Sequence, residues 1–197
     1  MALPFAAASE VKWEFTDNTE GKPDGADFTL EDSTGSGSTA TVPVPAGGSI
    51  VWATDVPADI TLDMSGDWTV NIRWTSNLQQ VGPDEVAVEL GVVTGGAFTA
   101  MSGIAKPPGS ATDFTVSVTD YIVNAGDHFA VNVTNEDLLT GMFVTVTASG
   151  SQTAASFVQT PTGSPNFPVP EFASVALLGV GIILTAGMVK HRRNKSS

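Results

Sequence analysis

The sequence predicts an all-β fold, an antiparallel two-sheet β-sandwich of jelly-roll or Greek-key type, followed by one C-terminal transmembrane helix. Three observations predict it. Many short segments alternate apolar and polar residues, turn sequences separate them, and a long uncharged run near the C-terminus is followed at once by basic residues. Alternation with a period of two is typical of a strand that has one face on a core.

The composition agrees with short strands joined by tight turns. Of the 197 residues, 42% are apolar and only 15% are charged, with 20 glycines and 12 prolines. Valine and threonine are abundant, and such β-branched side chains pack well on a pleated surface. Before residue 172 no helical period is present, which favours an all-β domain over residues 10–149.

About ten strands are predicted in this domain. They cover residues 11–15, 39–44, 49–53, 60–62, 67–75, 86–90, 98–101, 114–118, 128–134 and 142–147. Turn sequences rich in Gly, Pro, Asn and Asp separate them, as at 65–67, 81–84, 94–96, 107–109 and 124–127. Many short strands without helices predict a sandwich.

Two flanking stretches lack this alternation. Residues 20–38 are rich in Gly, Ser and Asp, and we expect a long loop there. Residues 150–169 are rich in Ser, Thr, Gln and Pro, which is typical of an extended stalk.

Charge and cysteine content exclude several functions. The net charge is −13, and upstream of Glu171 twenty acidic groups face only Lys12, Lys22, Arg73 and Lys106. Such a surface repels nucleic acid. Cysteine is absent, which removes disulfides, thiol nucleophiles and thiolate metal ligands.

The C-terminus predicts a membrane span. Residues 172–189 carry no charge, and as a helix they cover about 27 Å, close to a hydrocarbon core of about 30 Å. The basic residues that follow are Lys190, Arg192, Arg193 and Lys195. Basic flanks stay in the cytoplasm, so the segment before Glu171 is predicted to be extracellular. The alternative is a buried helix of a soluble core.

The junction carries a more specific motif. Pro170, Glu171 and Phe172 precede the apolar run and the basic tail, and this order resembles the PEF-CTERM sorting signal of methanogen-type archaea, a relative of the bacterial PEP-CTERM signal. The resemblance covers about the last thirty residues, and the predicted sorting signal is residues 170–197. It implies that the three residues are recognised by an archaeosortase, which cuts near the motif and transfers the new end to an envelope anchor. The alternative is a plain anchor that is never cut.

The N-terminus agrees with export. Residues 1–9 form a short apolar stretch that closes on small residues, like the end of a signal peptide. No basic region precedes it, so we interpret residues 1–9 as a signal-peptide remnant, with the mature domain beginning near Ser9 or Glu10.

Catalytic patterns are weak. His128 beside Asp127 is the one histidine outside the tail, and a histidine at a strand edge is usually a polar surface residue. Two acidic pairs could in principle serve glycoside hydrolysis, namely Asp84 with Glu85 and Glu136 with Asp137. Adjacent acids in turns usually face water, so we predict no catalytic residue and no enzyme.

Metal, sugar and modification sites are also considered. Loop carboxylates at Asp24, Asp27 and Asp137 are weak Ca²⁺ candidates, with solvated loop acids as the alternative. A sugar-stacking platform or core packing are the two interpretations of Trp13, Trp52, Trp68 and Trp74, and their strand phase favours the core. The sequon at Asn132 permits N-glycosylation if the polar face of its strand is exposed.

These observations lead to one hypothesis and two alternatives. We expect an exported cell-surface protein, a non-enzymatic structural or interaction module held at the envelope by its C-terminal signal. Its partners would be the membrane, the sorting transpeptidase, and envelope glycans or other surface proteins. The alternatives are a carbohydrate-binding adhesin, by analogy of fold alone, and a surface glycoside hydrolase.

Overall fold

The computed structural model describes residues 10–32, 39–76, 80–147 and 155–161. All of them belong to Met1–Phe167, the first of two compact units into which the chain divides, and the second unit, Pro168–Ser197, lies outside the described residues. As predicted, the described part is all-β, with fourteen strands, one 3₁₀ turn at Pro83–Glu85 and no α-helix.

The strands follow the chain in short steps. They are β1 (Lys12–Phe15), β2 (Phe28–Asp32), β3 (Thr39–Val44), β4 (Ser49–Thr54), β5 (Leu62–Asp63), β6 (Gly66–Asn71), β7 (Trp74–Ser76), β8 (Val86–Thr94), β9 (Ala97–Ala100), β10 (Asp113–Val118), β11 (Ile122–Val123), β12 (His128–Asn135), β13 (Met142–Thr147) and β14 (Phe157–Gln159).

The described strands form three sheets. The largest has nine strands in the order β10-β6-β14-β1-β2-β4-β12-β8-β9, a second has the order β3-β13-β7, and β5 pairs with β11 in a third. An isolated bridge joins Ser102, just after β9, to Val118 at the end of β10. Because β9 and β10 are the two edges of the nine-stranded sheet, this bridge shows that the sheet curls.

The prediction of purely antiparallel pairing was wrong for one pair of the described strands. β2 and β4 pair in parallel, with Phe28 opposite Trp52 and Leu30 opposite Thr54. The chain leaves β2 for β3 in the smaller sheet and then returns to the larger sheet beside β2. Such a crossover brings the next strand back in the same direction, which a tight hairpin cannot do.

Aromatic side chains fill the centre of the core. Trp68 stacks on Phe129 with ring centroids 4.8 Å apart, and Trp13 lies 5.2 Å from Phe129. Phe15 meets Trp52 edge to face at 5.0 Å. The indole N–H of Trp52 donates to the Thr16 carbonyl and that of Trp68 to the Met64 carbonyl, which removes the cost of burying a polar group.

The single strand predicted over residues 67–75 is two strands in different sheets. β6 lies in the nine-stranded sheet, whereas β7 pairs with β13 in the three-stranded sheet. Between them, the Arg73 N–H donates to the Ser156 hydroxyl and the Arg73 carbonyl accepts from Thr145 N–H. The apolar alternation continues across this crossing, so the pattern could not reveal it.

Two strands lie where no strand was predicted. β2 falls within the predicted loop 20–38, and β14 falls within the predicted stalk 150–169. β14 sits between β1 and β6, with Val158 opposite both Trp13 and Val70 and fully buried. The nine-stranded sheet therefore includes Phe157–Gln159, beyond residue 149, where the predicted β-domain ends.

The register defines two ends of the nine-stranded sheet. We call the end of the sheet where β14 finishes the exit end. Pro161 lies there beside Gly66, the first residue of β6, because a Cβ on Gly66 would be only 2.9 Å from the Pro161 ring. The opposite end, where β4 begins at Ser49 and β12 finishes at Asn135, is the far end. Pairing carries this assignment through β1, β2, β4 and β12.

Candidate functional site

The structure gives His128 no catalytic partner among the described residues. Its Nδ1 lies 2.6 Å from the Thr54 carbonyl oxygen, and because a carbonyl only accepts, Nδ1 carries the proton. The neighbouring Asp127 instead accepts from the Thr94 hydroxyl at 2.5 Å and from Asn124 N–H at 3.1 Å. These contacts hold the β11–β12 turn against β8 and β4.

Three of the four acids in the predicted pairs organise loops. Glu85 accepts from Gly82 N–H at 2.7 Å and so closes the 3₁₀ turn, and Glu136 pairs with Lys106 at 2.5 Å. Asp137 accepts from two backbone N–H groups in its own loop. Each of these three carboxylates thus has a structural partner.

Sequence reasoning missed another pair of acids. Glu14 and Glu31 lie directly opposite each other on β1 and β2. Glu14 is buried and accepts from the Thr147 hydroxyl at 2.7 Å, while Glu31 accepts from the Asn18 amide at 2.9 Å. Because Thr147 is the last residue of β13, its bond to Glu14 joins β1 to the three-stranded sheet.

All four tryptophans are buried, so the core interpretation is confirmed. Trp74 is the most exposed of them at 7% of its surface, and its indole N–H donates to the Val81 carbonyl. A sugar-stacking platform built on Trp13, Trp52, Trp68 or Trp74 is therefore wrong.

The weak Ca²⁺ candidates do not meet. Asp24 lies beside Gly96, whereas the carbonyl of Asp137 accepts from Gly47 N–H near the far end. Asp27 accepts from Val51 N–H at 2.9 Å. Within the described ranges, no group of three or more histidine or acidic side chains is arranged to hold a metal ion.

The sequon lies in the middle of β12, a strand paired on both sides. Asn132 is half-buried, and its amide donates to Glu89 Oε2 at 3.2 Å. Its Oδ1 is buried and has no partner in the part of the chain that the structure describes. Glycosylation of Asn132 stays a prediction.

The predicted terminal signals lie outside the described residues. They are residues 1–9, the span 172–189, the recognition residues Pro170, Glu171 and Phe172, and the basic residues Lys190, Arg192, Arg193 and Lys195. Among the described residues, no helix has the length and apolar character that crossing a membrane requires.

The most distinctive exposed feature is the loop between β12 and β13, residues 136–141, which we call the leucine loop. Leu138 and Leu139 expose 79% and 88% of their surface. Large exposed apolar side chains usually occur singly, and Ile60, Ile104 and Ile122 are the others on the described surface. The leucine loop places two such side chains side by side.

Hydrogen bonds of the fully buried Asn135 side chain hold the leucine loop in place. The Asn135 amide donates to the Thr140 carbonyl at 2.8 Å and to the Pro45 carbonyl at 3.2 Å, and its Oδ1 accepts from Asp137 N–H. One side chain therefore ties together both ends of the leucine loop and the turn after β3.

Asp137 closes the leucine loop from within. Its Oδ1 accepts from Leu139 N–H at 2.7 Å and from Thr140 N–H at 3.1 Å. Its carbonyl accepts from Gly47 N–H at 2.8 Å. A Cβ on Gly47, which has a φ of +64°, would lie 3.0 Å from the Leu138 side chain, so the two turns are in close contact.

Acidic residues are concentrated in the leucine loop and in the turn bonded to it. Glu136 and Asp137 precede them, and the Glu136 N–H donates to the Glu85 carbonyl at 2.7 Å, which brings Asp84 and Glu85 to the same place. Lys106 is bonded to Glu136. The site thus consists of two exposed leucines in a hydrogen-bonded loop at the far end of the sheet, with more acidic than basic residues in the leucine loop and in the turn bonded to it.

Sequence comparison does not assign this site. A scan against protein-family models and a search of curated proteins found no match to the chain. The likeness of residues 170–172 to a sorting signal therefore rests on that motif and its flanks.

Proposed function

We propose that the chain is an exported cell-surface protein, a non-enzymatic structural or interaction module anchored to the envelope by its C-terminal sorting signal. The observation that carries this proposal is the uncharged run 172–189 between Pro170-Glu171-Phe172 and the basic residues Lys190, Arg192, Arg193 and Lys195. An uncharged helix of this length is most stable in lipid, and the basic flank stays in the cytoplasm.

The charge distribution supports the same orientation. Twenty of the 21 acidic residues precede Glu171, whereas four of the eight basic residues follow residue 189. The acidic β-rich domain is then outside the cell and the basic tail is cytoplasmic before processing. The partners of this arrangement are the membrane and an archaeosortase.

The finer fold belongs to the same proposal, a jelly-roll or Greek-key sandwich with a C-terminal transmembrane helix. Its support is that the chain repeatedly passes between the two larger sheets, as from β2 to β3, β3 to β4 and β12 to β13. Such crossings between sheets are usual in sandwiches of this type.

The interaction role is supported by the leucine loop, since rigid exposed apolar residues are typical of binding surfaces. The adhesin alternative loses its main support in the sequence because the four tryptophans are buried. Binding of the full chain on a glycan array would favour the adhesin. Activity lost on replacing Glu136 or Asp137 by the corresponding amide would favour the hydrolase.

The deciding experiment measures the intact mass of the protein recovered from the envelope of the cells that produce it. We expect an envelope-bound protein whose polypeptide ends near Phe172. A mass that retains residues 173–197 would contradict the sorting signal and leave the plain anchor. Recovery of the full chain from the cytosol would contradict the whole proposal.

A further inference from the structure

From the geometry of the leucine loop we propose that it docks into an apolar pocket of another protein, a pocket bordered by lysine or arginine side chains. This inference rests on the proposed function, because it names the partner chemistry of the interaction module. It concerns Leu138 and Leu139 as the inserted side chains and the neighbouring carboxylates as the border.

Burial of the two exposed leucines by a partner would be energetically favourable. Burying a leucine side chain is favourable by about 1.5–3 kcal/mol, so two adjacent leucines in water leave a large apolar stabilisation unused. Leu138 and Leu139 are more exposed than any other large apolar side chain of the described residues. A pocket that covers both would recover that stabilisation.

Rigidity makes the leucine loop suited to docking. Asn135 and Asp137 together accept or donate five hydrogen bonds within the loop or to the adjoining turn, at distances of 2.7–3.2 Å. A loop already held in one conformation loses little entropy when it binds. The backbone therefore presents the leucines in one arrangement before the partner arrives.

Charge selects the class of partner. Glu136 and Asp137 belong to the leucine loop, Asp84 and Glu85 lie in the 3₁₀ turn bonded to it, and the cation bonded there, Lys106, is already paired with Glu136. A second copy of this chain would bring the same negative charges together, and an anionic lipid surface would be repelled as well. A pocket with a basic border is complementary.

The absence of cysteine allows a direct test. Leu139→Cys and, as a matched control, Ile60→Cys each give the full chain a single thiol for a benzophenone photo-crosslinker. Ile60 is 62% exposed and lies two residues after Ala58, which bonds to Asp127 beside the start of β12 at the exit end. Each labelled protein is irradiated with envelope preparations of the cells that produce it, and crosslinked peptides are sequenced.

We expect position 139 to crosslink one protein at least ten-fold more than position 60, at an apolar segment flanked by basic residues. Crosslinks to lipid, to a second copy of the chain, equally from both positions, or none at all would each overturn the proposal. An exported protein without the crosslink contradicts the docking proposal alone. A cytosolic protein contradicts the proposed function whatever the crosslinks show.

A second measurement uses the purified crosslinked protein as the probe. The double variant Leu138→Ser, Leu139→Ser should weaken its Kd at least ten-fold, and Ile60→Ser should leave the Kd unchanged. Raising the salt concentration should weaken binding by the unaltered chain, because the border charges are screened. Equal affinity of the double variant and the unaltered chain would refute docking through the leucines.

Discussion

Single side chains decide the local geometry at both ends of the sheet. At the far end, Asn135 supplies two donors and one acceptor to backbone groups of two different turns. Near the β5–β11 pair, the Ser65 N–H donates to the Asp63 carboxylate and the Ser65 hydroxyl accepts from Tyr121 N–H. In both places a buried or constrained polar group replaces the water that the turn backbone would otherwise bind.

Asn135→Ala should destabilise the protein by about 3 kcal/mol, since it leaves the carbonyls of Pro45 and Thr140 and the N–H of Asp137 without partners. Denaturant unfolding followed by fluorescence measures this change. Asn124→Ala is the control, because the Asn124 side chain is exposed, and its effect should stay within about 0.5 kcal/mol. Equal small effects of both variants would show that the anchor is dispensable.

Asp63 gives a pH prediction at the same scale. The Ser65 hydroxyl, and after it the Ser65 N–H, lowers the pKa of Asp63 below its ordinary value of 3.8, while slight desolvation acts in the opposite direction. A lowered folded-state pKa contributes stability that is present above the unfolded pKa and is lost as the pH falls through the folded pKa. This contribution therefore disappears only below about pH 4.

Ser65→Ala should raise the pKa of Asp63 towards its ordinary value, because the stronger of the two hydrogen bonds is lost. Titration of the Asp63 carboxyl by NMR measures this. Ser65→Thr keeps the hydroxyl and should restore the low pKa. Identical titration curves for the unaltered chain and Ser65→Ala would disprove the assigned cause.

Among the elements, β14 shows most clearly how tertiary pairing creates a strand. Its three residues carry no period that marks a strand, yet they lie between β1 and β6, inside the large sheet. β7 shows the reverse case, because a continuous alternation is divided between two sheets at Ile72 and Arg73. Strand existence and strand partners are therefore separate properties.

Val158→Ala tests whether β14 belongs to the core. Val158 is fully buried, and removing its two methyl groups should cost roughly 2 kcal/mol of folding free energy. Gln159→Ala is the neighbouring control, since the hydrogen bond from the Gln159 amide to Glu10 is exposed, and it should cost less than about 1 kcal/mol. Denaturation midpoints that do not move with Val158→Ala would restore the stalk interpretation.

At the scale of the whole molecule, negative charge is the dominant electrostatic fact. Twenty acidic groups and four basic groups precede Glu171, and two of the four cations, Lys12 and Lys106, each pair with one glutamate. Most carboxylates thus repel one another across the surface. Self-repulsion of this kind destabilises a compact state and is screened by salt.

We therefore expect the melting temperature to rise by about 5 °C between 50 mM and 1 M NaCl at pH 7, since screening weakens the repulsion over distances above about 3 Å at 1 M. Scanning calorimetry measures the shift. KCl should act like NaCl if the effect is screening. A melting temperature that falls or stays constant would show that repulsion does not limit stability.

The sequence by itself determined that the domain is all-β and that the tryptophans are buried, because alternation directly reports which residues face a core. It also indicated that Glu136 and Asp137 lie in a loop. It could not determine the parallel pairing of β2 with β4, since alternation is the same for every partner and direction.

Only the tertiary structure showed that the two leucines of the leucine loop are exposed. Two leucines after a strand resemble a continuation of the core, and their exposure depends on Asn135 reaching Pro45, ninety residues earlier in the chain. The same holds for β14, which is inserted between strands distant in sequence. Local patterns record the environment of a face, whereas these features arise from contacts between segments that folding alone brings together.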